Sequence, residues 1–138
     1  MIALDTNVLV RFLVEDDEAQ SAAAAALVEE ALSAGEGLFV TDIVVCETVW
    51  VLTAAYRVKR AAVITILRQL LRAKHLCFAA PDLIARALDA FAAGRGDFAD
   101  YLIREQARAA GCNDVATFDL ALLGEPGFRE PKGRKRRG

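Results

Sequence analysis

The chain predicts an α/β fold, a short parallel sheet flanked by helices on both faces with one pair of helices forming a hairpin. Three observations carry this expectation. Apolar runs of three or four residues recur, longer segments with helical spacing separate them, and glycine, proline and capping residues mark the junctions. Strands that alternate with helices imply right-handed crossovers and parallel pairing. At 138 residues the chain fits one domain with a core that needs neither disulfides nor zinc.

Ile2 to Leu4 make the first strand. Asp5-Thr6-Asn7 then offers capping side chains to the apolar stretch Val8 to Val14, giving strand, turn and helix in succession. The run Glu15-Asp16-Asp17-Glu18 reads as the solvated start of an alanine-rich helix reaching about Ala34, because acids favour the first turn. Gly35 and Gly37 stop it. Leu38 to Val40 is the second strand. Thr41-Asp42 caps a helix with Val45, Val49, Leu52 and Tyr56 at helical spacing, and Glu47 lies in its early turns. A helix over residues 60–72 follows, its Val63, Ile66, Leu67 and Leu70 repeating at three and four, and completes the hairpin. Trp50 and Tyr56 are expected to pack there.

Leu76 to Ala79 is a third strand, Pro81-Asp82 opens a helix to about Ala93, and Gly94-Arg95-Gly96 breaks it. The next helix, Phe98 to Ala110, ends at Gly111. Asp114 to Ala116 is a fourth strand that runs into Thr117-Phe118-Asp119. Gly124, Pro126-Gly127 and Pro131 then bring turn chemistry and leave room for a brief last strand near Phe128.

No apolar stretch approaches the roughly 20 residues that span a bilayer, and Met-Ile-Ala-Leu-Asp lacks the basic and apolar regions of a secretory signal. A soluble, cytoplasmic protein is expected, with no membrane partner. Cys46, Cys77 and Cys112 are odd in number and widely spaced, and His75 is the one histidine, so neither a disulfide framework nor a zinc set is at hand. Each cysteine stands among apolar residues and is expected to be buried. His75 falls at a helix-to-strand junction, where it favours the helix dipole.

The formal charge of −2 hides an asymmetry. Residues 1–128 carry 11 Lys+Arg against 18 Asp+Glu, whereas residues 129–138 carry 6 against 1. A basic arm on an acidic body can meet nucleic-acid phosphates, or it can be a solvated terminus.

Asp5, Glu47, Asp100 and Asp119 each close or interrupt an apolar run. Asp5 and Asp119 stand where a strand gives way to a turn, and Glu47 and Asp100 stand near helix starts. The carboxyl edge of a parallel sheet can therefore gather all four. Two carboxylates about 4 Å apart repel by on the order of 4 kcal/mol at an effective dielectric near 20, so such a group calls for a divalent cation. All-oxygen ligation selects Mg²⁺ or Mn²⁺. A water on such an ion can be activated to attack a phosphodiester. Asp97, three residues before Asp100, is either a helix N-cap or an acid for a second ion. Thr6 and Asn7 beside Asp5, and Thr117 beside Asp119, can orient ligands or meet the scissile phosphate.

Leu-Asp-Thr-Asn-Val-Leu-Val-Arg-Phe-Leu near the start, Glu47 in its helix, Phe-Ala-Asp-Tyr-Leu-Ile and Ala-Thr-Phe-Asp occur in this order and at this spacing. Together they resemble the PIN-domain ribonucleases, and among these the VapC-type toxins of bacterial toxin-antitoxin pairs. The resemblance covers residues 1–128 and leaves 129–138 as a basic C-terminal tail. It implies a three-layer PIN-like fold and a Mg²⁺- or Mn²⁺-dependent endoribonuclease acting on RNA. It carries the catalytic and metal-binding acids onto Asp5, Glu47, Asp100 and Asp119, with Thr117 as the hydroxyl beside the last acid and Asn7 as a site neighbour. It also implies a homodimer and a VapB-like antitoxin lying in a groove by the helical hairpin, around Leu13, Trp50, Leu52 and Tyr56. Such an antitoxin is expected to offer an arginine to the acids.

Other families also open on an apolar strand and an aspartate. Dehalogenase-type phosphotransferases place a second Asp two residues on, where this chain has Asn7, and response-regulator receivers need a paired acid near the start and a late lysine. Two alternatives stay open within the resemblance. One is a catalytically silent PIN-like binding or regulatory module, and the other a PIN nuclease of RNA maturation.

Overall fold

Asp5 turns the first strand into the first helix in the computed structural model of the chain, which describes residues 1–132. Of the expected basic tail, residues 133–138 lie outside the described residues. Strand β1 (Ile2–Ala3) leads to Asp5, whose side chain accepts the Thr6 backbone N–H at 2.8 Å and so caps α1 (Thr6–Leu13). Asp17 does the same for α2 (Glu18–Ala34), accepting from Gln20 at 3.0 Å. Gly35, at a left-handed φ of 67°, ends that helix, and the Glu36 N–H returns to the Ala31 carbonyl at 2.9 Å. Strand β2 (Leu38–Val40), helix α3 (Asp42–Ala54), helix α4 (Arg60–Arg72) and strand β3 (Leu76–Phe78) follow, and Thr41 caps α3 by accepting from Val44 at 3.2 Å.

The sheet is parallel in the order β1-β2-β3, with Ile2 opposite Leu38 and Leu38 opposite Leu76. Helix α1 packs on α2 and α3, and α3 packs on α4, the expected helical hairpin. Leu9, Leu38, Val40, Val45, Leu52, Val63 and Leu67 are essentially inaccessible. Side chains of this kind each contribute about 1.5–3 kcal/mol when fully buried.

The chain divides into two compact units, Met1–Ala85 and a second that begins at Arg86, the boundary falling inside α5 (Pro81–Ala93). The second unit continues with α6 (Phe98–Ala109), β4 (Val115–Ala116) and β5 (Phe128–Arg129). Strands β4 and β5 pair parallel, Val115 opposite Phe128. A parallel pair cannot be closed by a tight hairpin, so residues 117–127 serve as the crossover.

Four expectations need correction. The fourth strand does not hydrogen-bond to the first three but pairs with β5, which buried Phe128 anchors by an edge contact to the Tyr101 ring at 6.2 Å. Trp50 is not a packing residue. It is 69 % exposed, and Ile43, two turns earlier on the same side of α3, is 71 % exposed, because Val45, Val49 and Leu52 take the core-facing positions. Leu52, fully buried, cannot line a groove. Cys112 is exposed because it follows Gly111, at a φ of 92°, in the turn after α6. Cys46 and Cys77 are half-buried, and burial, with the charges of Asp42 and Glu47, pushes the Cys46 thiol up and keeps it protonated.

Tyr56 packs in part and also spends its hydroxyl, donating to Asp16 at 2.7 Å and accepting from Arg11 at 2.8 Å. Arg11 closes the triangle with an ion pair to Asp16 at 2.9 Å. The end of the hairpin is thereby tied to the α1–α2 turn. Among the described residues no helix is long and apolar enough to cross a membrane.

Candidate active site

In the first unit one residue serves two acids. The Thr6 backbone N–H donates to Asp5 Oδ1 at 2.8 Å, while its hydroxyl donates to Glu47 Oε2 at 3.3 Å. Thr6 itself is buried, whereas Asp5, Asn7 and Glu47 are exposed. The local reason is the strand-to-helix turn. Asp5 caps α1 from the carboxyl end of β1 with its side chain still exposed, and Thr6, as first residue of the helix, reaches across to α3.

In the second unit Asp97 is the N-cap of α6, as one of the two readings of that residue expects, and Asp100 reaches back to accept the Asp97 N–H at 2.9 Å. Asp100 is half-buried. Burial pushes its carboxyl above the ordinary aspartate range, the hydrogen bond from Asp97 opposes this, and the charges of Asp97, Asp119 and Glu125 add to it. Asp119 is exposed beyond the end of β4. Its N–H donates to the Thr117 hydroxyl at 3.0 Å and its carboxylate accepts from Ala121 at 2.9 Å, so Thr117 is the expected neighbour with its own proton still free. Asp5 and Asp119 thus each follow a strand's carboxyl end, β1 in the first unit and β4 in the second.

Tyr101 and Glu125 went unnoticed in the sequence. The buried Tyr101 hydroxyl accepts the Gly96 N–H at 2.8 Å and donates to the Glu125 carboxylate at 2.9 Å. It therefore clamps the loop that delivers Asp97 and Asp100 to the crossover that carries Asp119. The glycines on either side of Arg95 are needed for this. A Cβ at Gly94 would land on the Tyr101 hydroxyl, and one at Gly96 would strike the Leu122 side chain. Two glycines before a helix with a tyrosine in its first turns were the available signal.

No nitrogen or sulfur ligand takes part in these contacts, and among the described residues none of Asp5, Glu47, Asp100 and Asp119 forms an ion pair. Unmatched carboxylate oxygens suit a hard divalent cation, so the donor chemistry fits Mg²⁺ or Mn²⁺. Among the described residues no three His, Cys, Asp or Glu side chains converge as a ready metal cage. Mg²⁺ in particular is held by one or two carboxylates and keeps several waters.

Comparison with curated proteins finds no match. The sequence profile of the PIN domain matches residues 2–123, a stretch that runs through both units and contains all four acids together with Thr6, Asn7, Asp97 and Thr117. Over that span, with its mixed α/β architecture and short parallel sheet, the chain belongs to the PIN-domain family, whose members are generally metal-dependent nucleases.

Proposed function

We propose that the protein is a Mg²⁺- or Mn²⁺-dependent endoribonuclease, the toxin of a toxin-antitoxin pair, and that Asp5, Glu47, Asp100 and Asp119 are the acids on which its cleavage depends. The observation that carries this reading is a set of carboxylates left without a cationic partner among the described residues, one of which, Asp100, is held above its ordinary range. Asp100 bears the weight of this, because a half-buried carboxylate among like charges is one that a bound cation would relieve. When bound, a divalent ion supplies an activated water and steadies the charge on the phosphoryl oxygens.

The chain's own residues have separate tasks in this reading. Thr6 holds the Asp5 and Glu47 carboxylates in place through one donor each. Asp97 fixes the start of α6 and so the position of Asp100. Thr117, having accepted the Asp119 N–H, retains a proton to offer a phosphate oxygen of the RNA. Asn7, exposed beside this turn, is a neighbour that can contact substrate.

The reading includes a cytoplasmic protein with its nuclease domain in residues 1–128, a homodimer and an antitoxin partner. Exposed Ile43 and Trp50, with Glu47 between them on α3, support a protein partner that brings apolar side chains and an arginine. A cleft of about 390 Å³ between α1 and α2, bordered by Asn7, Val8, Arg11, Ala24 and Leu27, supports an inserted peptide segment.

Purified protein incubated with total cellular RNA and Mg²⁺ or Mn²⁺ is expected to give discrete cuts that vanish with EDTA and in the Asp5→Asn variant. Metal-loaded wild type, free of any antitoxin, that leaves RNA intact would transfer the chain to the silent binding-module reading. The toxin assignment has its own check. A small reading frame directly upstream, co-expressed, is expected to co-purify with the chain and suppress cutting; without such a frame, RNA maturation becomes the better reading.

A further inference from the structure

One face of the three-stranded sheet lacks a side chain in the middle strand, and two sulfur atoms fill the space. Ile2 stands opposite Leu38 and Leu38 opposite Leu76, and the Leu38 N–H, donating to the His75 carbonyl at 2.7 Å, carries the pairing one step further back. Met1, Gly37 and His75 therefore form one row across the strands. Ala3, Phe39 and Cys77 form the next row on the same face, because side chains alternate along a strand. A Cβ at Gly37 would lie 2.6 Å from Cys77 Sγ and 3.2 Å from Met1 Sδ. The thiol of β3 and the thioether that precedes β1 thus converge over β2.

The third member of the Gly37 row is His75, whose Nε2 is buried and meets no hydrogen-bond partner among the described residues. A desolvated ring nitrogen is costly unless a donor or an ion satisfies it. Cys77 is a free thiol and half-buried, while Met1 is largely exposed, which leaves an approach from solvent. Thiol, thioether and imidazole make a soft donor set, the opposite of the oxygen ligands offered by the acids. Zinc sites take thiolate, imidazole or carboxylate in fours, and a thioether is foreign to them. Thiolate together with thioether selects Cu(I).

We propose that Met1 Sδ, Cys77 Sγ and His75 Nε2 form a binding site for Cu(I), with Gly37 kept small so that both sulfurs can close over the middle strand. The Cys77 thiol gives its proton to solvent as the ion binds, and the copper remains Cu(I) throughout. An ion held in this way ties β1 to β3, the two outer strands of the sheet, across β2. The site uses none of the acids proposed for cleavage and stands apart from the nuclease reading.

The test is an anaerobic competition for Cu(I), kept reduced with ascorbate, between the full chain and the chelator bicinchoninate. Cys46→Ser and Cys112→Ser remove the other two thiols from the reference chain. That chain is expected to withdraw one Cu(I) per molecule and to melt at a higher temperature when loaded. Changing only an outer-shell partner of a metal ligand costs about 10–100-fold in affinity, so loss of the thiolate in Cys77→Ser should cost more than about 100-fold. His75→Phe should cost on the order of tenfold or more. Gly37→Ala, which keeps all three donors but sets a methyl group against both sulfurs, should also bind more weakly than the reference. X-ray absorption at the copper edge needs no further substitution and should show sulfur and nitrogen neighbours together, whether or not a variant folds. Copper left with the chelator would overturn the proposal, as would equal retention by Cys77→Ser. Sulfur neighbours alone, with His75→Phe binding like the reference, would leave His75 a packing residue and the three-donor site refuted. Zn²⁺ that displaces the copper at equal concentration would refute the choice of ion. None of these outcomes changes the expectation for RNA cleavage, which is read separately with Mg²⁺ or Mn²⁺.

Discussion

The two ends of helix α6 treat a carboxylate in opposite ways. At the start, Asp100 is half-buried, accepts one backbone N–H, and feels Asp97, Asp119 and Glu125 without a cation among the described residues. Further along, Glu105 is more deeply buried and meets Arg104 at 3.1 Å and Arg108 at 3.2 Å. Arg104 is used to the full, since it also donates to the Pro126 carbonyl at 3.0 Å and lies over the Tyr101 and Phe128 rings. The same helix therefore supplies guanidinium groups where a carboxylate serves packing and withholds them where one faces the candidate site. Charge left unmatched beside charge carefully matched suggests that the missing partner comes from outside the chain.

The comparison is broken most severely at the matched end. Glu105→Ala leaves Arg104 buried without its acid and is expected to cost about 3–5 kcal/mol, read from urea unfolding. A loss below about 1 kcal/mol would mean that Arg104 swings to solvent and that the pair contributes no more than a surface contact. The next effect lies between the two ends. Tyr101→Phe deprives the Gly96 N–H of its acceptor and Glu125 of its donor, which should cost about 1–3 kcal/mol. RNA cleavage should fall with it while the KM for RNA stays near wild type, because the clamp orients acids rather than binding RNA. Full cleavage by a destabilised Tyr101→Phe would show that the clamp serves stability alone.

Local signals made most of the fold legible. Asp5, Asp17, Thr41 and Gly35 announce helix ends by the chemistry of a single side chain or a single φ, and the three strands of the sheet are continuous apolar runs. The proposed acids could be singled out for a similar reason, since a carboxylate interrupting an apolar run is visible without knowing its neighbours. What failed was whatever depends on a distant partner. Helix α3 is apolar nearly all round, so nothing in its pattern marks the side on which Ile43 and Trp50 stay exposed. Strand β4 is two residues long and takes its partner from β5 rather than from the sheet, a choice made by the packing of Phe128 on Tyr101. The Tyr101–Glu125 bond joins residues 24 apart and leaves only the glycine pair as a trace.

The smallest expected effect is the one that most sharpens the comparison, because it has a direction a packing defect would not have. Asp100→Asn keeps an acceptor for the Asp97 N–H and removes the charge. The native carboxyl titrates above its unfolded value of 3.8, so between that value and the raised one the native state holds more protons than the unfolded state. Stability relative to a neutral side chain is therefore intact below 3.8 and declines as pH rises through the raised value. Asp100→Asn should melt with wild type in acid and above it at neutral pH in metal-free buffer, by a small margin because solvent screens the site. The same substitution should abolish cleavage, and adding Mg²⁺ should narrow the stability gap by stabilising wild type alone. A gap that is constant across pH would assign it to altered packing at the cap. A gap of opposite sign, with the variant less stable at neutral pH, would show that Asp100 is matched after all, and with that the contrast between the two ends of α6 would fall.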